Sequence, residues 1–160
     1  MTFSWTPHRF SGGALALDVA NSVLQRFDPA RSVDRFADPD NLAAFPDAAT
    51  RLCAERLQQP LKTLPIKRAA SLIALREAID RHFRAEATGM PSPLLLADLL
   101  EQIAQALRAG AAGDLDFETA MSALRLISPT RSGALKICPN CEWLFLDRSK
   151  NRSRAWCDMA

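Results

Sequence analysis

The chain has 160 residues, 48% of them hydrophobic, and a formal net charge of +2 at pH 7. This size allows one ordinary core with a small appendage, and the near-neutral charge argues against a protein that coats nucleic acid over its whole surface. No apolar stretch approaches the length of a membrane-spanning helix, and residues 1–5 lack the basic and apolar regions of a signal peptide, so a cytoplasmic protein is expected.

Two helical regions are predicted in the first third of the chain. The first runs from Ala14 to Phe27 and ends at the Asp28-Pro29 pair, because proline cannot continue a helix. A polar connection leads into a second region, which Pro46 should break and which continues to about Leu57.

Three further helices are predicted after a proline-rich connection. One begins at Pro65 and runs to about Thr88, where Gly89 supplies a stop. The next begins with Ser92 as N-cap, and its residues 94–107 are apolar around most of the circumference, which predicts a helix at the centre of the core. The last helix is capped by Asp114 or Asp116 and is expected to turn four side chains inward: Phe117, Met121, Leu124 and Ile127. Residues 128–133 have the composition of a linker.

The end of the chain contains the spacing of a metal-binding turn. Cys138 and Cys141 are separated by Pro139 and Asn140, which favour a tight turn, and short runs of strand formers flank them, as a β-hairpin requires. Cys157 follows after fifteen intervening residues, within the distance at which split zinc sites place their second ligand pair. The sequence therefore predicts a zinc knuckle with Cys138, Cys141 and Cys157 as thiolate ligands.

These residues resemble the CGNR zinc finger. The resemblance covers the Cys-x-x-Cys pair and the stretches WLFLDRSKN at 143–151 and RAWCDMA at 154–160. It implies that a variable position and then Cys-Gly-Asn-Arg would follow, so we expect this chain to stop before its fourth ligand. Zinc should then be weakly bound, partly occupied or absent, and the end after about Ser149 mobile. Four residues of the chain are the other candidates for the fourth ligand: Asp158, His8, His82 and Cys53.

Residues 17–22, with the sequence LDVANS, resemble the Asp-x-x-Asn-Thr element of ABATE domains, with Ser22 in place of threonine. The resemblance implies an alanine-rich helical domain of proteins described as stress-induced transcription regulators. The predicted fold is therefore mainly α, with a helical domain over residues 1–130 followed by a small β-hairpin zinc-knuckle module over residues 131–160.

Arg148, Lys150, Arg152 and Arg154 alternate with small polar residues in this module and have no acidic residue between them. Such a cluster can neutralise several phosphates, which makes these residues candidate DNA contacts. The alternative is a solvated loop that only keeps the module soluble.

Asp18, Asn21 and Arg26 lie on neighbouring turns of the first predicted helix and are candidates for a polar pocket that receives a small-molecule effector. The alternative is that Asp18 and Asn21 bind loop backbone and fix the packing of that helix.

The combined prediction is a DNA-binding transcription regulator with a helical sensing domain. A zinc-stabilised protein-interaction module is one alternative, and a Cys138–Cys141 thiol redox protein is a lesser one. No phosphate-binding loop, serine elbow or metalloprotease motif is found, so an enzyme is not expected. An unknown effector and a homodimer remain open as partners.

Overall fold

The computed structural model describes residues 3–128 and 133–157. Within these ranges the chain forms five α-helices and two antiparallel β-hairpins. The helices are α1 (Leu15–Ala20), α2 (Pro39–Leu52), α3 (Ala69–Ala87), α4 (Pro93–Ala109) and α5 (Leu115–Ile127), and the strands are β1 (Val23–Leu24), β2 (Val33–Asp34), β3 (Ala134–Ile137) and β4 (Leu144–Asp147). The predicted class, a mainly helical protein followed by a small β-hairpin, is confirmed.

Helices α3 and α4 begin and end near the predicted residues. Ser92 caps α4 by accepting a hydrogen bond from the Leu95 amide at 3.4 Å, and Pro93 occupies the first turn. Helix α3 ends just before Gly89, whose φ of 72° lies in the left-handed region. Capping residues therefore located these two helices well.

Helix α1 is much shorter than predicted. It ends at Ala20 rather than Phe27, and the chain then forms strand β1, in which Val23 pairs with Asp34. Gln25 has a φ of 46°, a left-handed conformation that no α-helix can include. The predicted helix end was wrong because the apolar spacing of residues 17–24 is that of a helix, whereas the backbone of residues 23 and 24 pairs with strand β2.

Helix α2 passes through Pro46 without a break and ends at Leu52, before the predicted Leu57. A proline removes one helical hydrogen bond, and here the helix is retained because Phe45, Ala48 and Ala49 on the same turns are buried in the core. Tertiary packing therefore outweighs the local cost of the proline.

The buried faces of α4 and α5 also differ from the prediction. Helix α4 lies at the edge of the core, with Leu94 78% and Leu100 43% exposed. Leu124 of α5, which was expected to point inward, is 41% exposed. The buried face of α5 is made largely of small residues and consists of Leu115, Thr119, Ala120, Ser122, Ala123 and Leu126. Small side chains let α1 approach α5 closely, and the amide of Ala16 donates to Ser122 Oγ at 2.9 Å.

Strand β4 is buried on both faces, and one of them packs against the helical part. Leu144 and Leu146 belong to the same core cluster as α1, α3, α4 and α5, while Phe145 faces the cysteines. The Asn21 side chain donates to the Leu144 carbonyl at 2.8 Å and accepts from the Leu144 amide at 2.9 Å. The Leu146 amide donates to the Gly12 carbonyl at 2.9 Å. Packing thus crosses the predicted domain boundary at residues 130 and 131, which itself lies outside the described residues.

We predict that Asn21→Ala lowers the free energy of unfolding by about 2 to 5 kcal/mol, because it leaves the buried amide and carbonyl of Leu144 without partners. Urea unfolding monitored by circular dichroism measures the change. The control is Asn151→Ala, at an exposed position, which should change stability by less than about 0.5 kcal/mol. Equal stability of the two variants would contradict the role assigned to Asn21.

Candidate metal centre

The Cys-x-x-Cys segment forms a closed turn between β3 and β4. The Cys138 amide donates to the Trp143 carbonyl at 2.8 Å, and the Glu142 amide donates back to the Cys138 carbonyl at 2.9 Å. Glu142 adopts a left-handed φ of 64°, which tightens the turn. The hairpin therefore brings Cys138 and Cys141 close to each other.

The three cysteine sulfurs converge at this turn. The Sγ atoms of Cys138, Cys141 and Cys157 all lie within 4.8 Å of one another, and Cys141 Sγ lies 3.3 Å from Cys157 Sγ. All three side chains are buried, in a small cluster with Trp143 and Phe145. The sequence prediction that these cysteines come together is met by the geometry.

The arrangement fits a zinc ion. Tetrahedral zinc with Zn–S bonds of about 2.3 Å requires sulfurs about 3.8 Å apart, which lies between the 3.3 Å of the Cys141–Cys157 pair and the 4.8 Å that bounds all three. The pKa of the Cys141 thiol is raised above its usual range, first by the hydrogen bond with Cys157 and then by burial. A divalent cation would displace the proton of Cys141 and stabilise its thiolate, and its binding would supply folding energy.

A fourth ligand is not found among residues 3–128 and 133–157. The group of potential ligands contains only the three cysteines, so His8, His82 and Cys53 do not join it. Asp158, the remaining candidate, lies outside the described residues. Within the described residues only the three cysteines form such a group, and the missing fourth ligand stays a prediction.

Asp147, at the end of β4, organises the loop that returns Cys157 to the site. Its side chain is fully buried and accepts four hydrogen bonds. Oδ1 accepts from the Ser149 amide at 3.0 Å and from Ser149 Oγ at 2.6 Å, while Oδ2 accepts from Lys136 Nζ at 2.7 Å and from the Arg154 amide at 2.9 Å. Burial alone would raise the pKa of Asp147, but the bonds from Lys136 and Ser149 lower it well below its usual range.

Lys136 completes this arrangement from strand β3. Its Nζ also donates to the carbonyl oxygens of Arg152 at 2.6 Å and Arg154 at 2.7 Å. The Lys136–Asp147 ion pair, in which Lys136 is half-buried, therefore contacts the backbone of Ser149, Arg152 and Arg154. The mobile end expected after about Ser149 stays a prediction. Sequence inspection missed Lys136 and Asp147, although a charged residue inside each short strand was the available signal.

The four basic residues are distributed around this loop. Arg148, Lys150 and Arg152 are exposed, whereas Arg154 is half-buried. The Arg154 guanidinium lies 5.4 Å from the centroid of the Phe145 ring, and its Nε donates to the Trp156 carbonyl at 3.2 Å. Arg154 thus contributes to the packing of the module as well as to its charge.

The structure does not bring Asp18, Asn21 and Arg26 into one pocket. Asp18 is buried, and its Oδ1 accepts from the Gly12 amide at 2.9 Å. Asn21 binds the backbone of β4, as described above. Arg26 forms ion pairs on helix α3 and lines a cavity to which neither Asp18 nor Asn21 contributes. Asp18 and Asn21 bind backbone, which corresponds to the alternative that the sequence left open.

The fold and the cysteine site together define a mainly helical protein with a zinc-finger module. Residues 13–128 match the ABATE family model, described as "Putative stress-induced transcription regulator", and residues 134–160 match the CGNR zinc finger. Because the ABATE match covers more than half of the chain, the chain belongs to this family. Comparisons with curated proteins and with solved structures found no match.

Neither family description is that of an enzyme. The Cys138–Cys141 pair lies on the turn of a β-hairpin, whereas a thioredoxin-like dithiol places its first cysteine at the N-terminus of a helix. A search of the described residues for a helix long and apolar enough to span a membrane found none.

We predict that Zn²⁺ titration of the chain detects a single site whose affinity falls by about 100-fold or more in Cys141→Ser. Removal of one thiolate leaves only two of the described ligands, which cannot hold zinc in a closed site. Competition with a chromophoric chelator measures the affinity. Cys53→Ser is the matched control, since Cys53 lies outside the cluster, and a similar loss in that variant would refute the assignment.

A second prediction concerns pH. Burial raises the pKa of Asp18 to about 7, although the hydrogen bond from the Gly12 amide favours the ionised form. In the unfolded chain this pKa is about 3.9. Between about pH 4 and 7 the native state therefore holds a proton that the unfolded state has lost. The contribution of Asp18 to the free energy of unfolding is fully present below about pH 4 and declines as the pH rises towards 7.

Asp18→Asn keeps an acceptor for the Gly12 amide and should remove this decline, which amounts to about 4 kcal/mol. Urea unfolding between pH 4 and 8, with a chelator present to exclude the metal contribution, measures the difference. Asp98→Asn, at an exposed position of α4, should retain the wild-type slope. An unchanged slope in Asp18→Asn would show that Asp18 is ionised throughout this range.

Proposed function

We propose that the protein is a DNA-binding transcription regulator whose zinc-finger module contacts the phosphate backbone. The observation that carries the proposal is the loop that joins β4 to Cys157. It presents Arg148, Lys150 and Arg152 to solvent, while its acidic residue, Asp147, is buried. Because Asp147 and Lys136 hold this loop in one conformation, the loop can bind a phosphate backbone without a further loss of conformational entropy.

The charges of the loop favour a polyanionic partner. Asp147 is compensated by Lys136 inside the module, so the exposed cations are not neutralised by the carboxylate next to them in sequence. Phosphate contacts of this kind determine affinity and register but carry no base specificity. The loop is therefore proposed as the electrostatic contact, and recognition of a particular operator requires further residues.

In this proposal the helical domain receives a signal and the module responds to it. The family description supports a regulator that acts under stress. A cytoplasmic location belongs to the same proposal, because a regulator of this type works where DNA and its signal are both present. A small-molecule effector and a homodimer stay predictions from the sequence.

The test is salt-dependent binding of a fluorescent DNA duplex by the zinc-loaded chain and by Lys150→Glu/Arg152→Glu. We predict binding at low salt, with a slope of log affinity against log salt that becomes shallower by about 2 in the double variant, because two phosphate contacts are lost. Lys67→Glu, a charge reversal at an exposed position of the helical domain, is the control and should leave the slope unchanged.

Zinc content and thermal unfolding of each variant should stay at the wild-type level, since both substituted side chains are exposed. Absence of salt-sensitive binding by the wild-type chain would refute the proposal. An equal loss in Lys67→Glu would refute the assignment of the contact to the loop.

A second candidate function is a structural or protein-interaction module without nucleic acid. The burial of all four residues of β4 favours it, because a module integrated in this way stabilises the helical core. In that case zinc removal would destabilise the whole chain, and no duplex would bind even at low salt.

A further inference from the structure

A cavity of about 530 Å³ lies beside the segment that follows helix α1. It is formed by that segment, by the outer face of α3 and by the connection into α4. Ten residues line it: Arg26, Phe27, Glu77, Asp80, Arg81, Arg84, Ala85, Thr88, Met90 and Leu95. Its volume lies within the usual range of small-molecule sites.

The apolar wall of this cavity is open to solvent. Phe27 is 62% exposed and Met90 is 71% exposed, although both are large hydrophobic residues. The Arg84 guanidinium lies 5.0 Å from the centroid of the Phe27 ring, and this contact holds the ring against the cavity. A ligand with an apolar body would cover these two side chains and release the water that contacts them.

The charged residues leave one positive charge in excess. Glu77 pairs with Arg26 and with Arg76, which lies behind the cavity, and Asp80 pairs with Arg26 and Arg84. Arginines that belong to the helical packing thus compensate both carboxylates of the cavity. Arg81 is exposed at the rim and supplies the excess charge, which favours an anionic head group.

The same segment contacts the cysteine site. The Trp143 indole donates to the Val23 carbonyl at 3.1 Å, the Gln25 amide donates to the Cys141 carbonyl at 3.4 Å, and the Phe27 amide donates to Glu142 Oε2 at 3.2 Å. The Leu24 side chain packs against the cysteine cluster. Residues 23–27 therefore contact the knuckle with their backbone, and Arg26 and Phe27 contact the cavity with their side chains.

From this geometry we infer that the cavity binds a small organic monoanion with an apolar body, and that its occupation alters the stability of the metal site through residues 23–27. Phe27, Met90 and Arg81 form the site, and the contacts of Gln25 and Phe27 with the knuckle form the link. The ligand would be the effector of the proposed function, but neither the site nor the link depends on DNA binding.

Binding is tested with two fluorescent probes that share one apolar body. 1-Anilinonaphthalene-8-sulfonate carries an anionic group, and N-phenyl-1-naphthylamine lacks it. We expect the folded chain to bind the sulfonate at one saturable site and Arg81→Gln to weaken it roughly tenfold, while the affinity for the neutral amine stays unchanged. Arg51→Gln, at an exposed position of α2, is the matched control and should bind both probes like wild type.

The apolar wall is tested with Met90→Ser, which should lower the affinity of the chain for both probes. Its control is Ile66→Ser, because Ile66 is 77% exposed but does not line the cavity. Equal probe affinities in Met90→Ser and Ile66→Ser, or in Arg81→Gln and Arg51→Gln, would overturn the site.

The link is tested by the rate at which the zinc-loaded chain transfers its metal to 4-(2-pyridylazo)resorcinol. We expect saturating sulfonate probe to change this rate at least about threefold in wild type. In Arg81→Gln the same change should need about tenfold more probe. The same rate of metal transfer with and without bound probe would overturn the link. Because no step uses DNA, failure here is separate from failure of the proposed regulator function.

Discussion

The pairing of Asn21 with the backbone of Leu144 is the interaction on which the rest of the structure depends. One side chain satisfies both hydrogen-bonding groups of a buried strand residue, at 2.8 and 2.9 Å, and does so immediately after helix α1 ends. A buried strand without such a partner would leave the amide and the carbonyl of Leu144 unsatisfied, at a cost of about 1 to 3 kcal/mol for each group. The zinc module is therefore seated on the helical core by a polar contact, and the burial of Leu144 and Leu146 follows from it.

The two faces of strand β4 contact the helical core and the cysteine cluster. Its even-numbered residues enter the helical core, whereas Phe145 packs on the cysteine cluster, as the alternation of a strand requires. The strand ends at Asp147, whose carboxylate holds Lys136 and the loop that leads to Cys157. The cysteines are thus brought together partly by contacts within the protein, so a metal ion would complete a site whose framework the backbone already forms.

The sequence allowed a good prediction of features that depend on short spacing. The three cysteines, the turn between Cys138 and Cys141 and the Ser92 cap of α4 were all recognised from residues close together in the chain. Helix α1 was extended too far because the apolar spacing of residues 17–24 resembles a helix, while the strand partner that ends it lies near Asp34. The buried face of α5 was missed because it is formed by small and polar residues whose burial depends on the approach of α1. The roles of Lys136 and Asn21 needed the tertiary structure, since each binds backbone that is distant in sequence, and the role of Asp147 depends on its pairing with Lys136 across the hairpin.

The left-handed Gln25 shows why the segment after α1 is suited to couple two parts of the molecule. Its φ of 46° costs free energy in a non-glycine residue, and the conformation persists because contacts on both sides hold it. On one side the amide of Gln25 meets the carbonyl of Cys141, and on the other Arg26 binds helix α3 through Glu77 and Asp80. A displacement of Arg26 would weaken only one of these restraints, so the segment could relax without loss of the Asn21 contact. The part of the chain that ends helix α1 is thus also the part through which the helical domain and the cysteine site can affect each other.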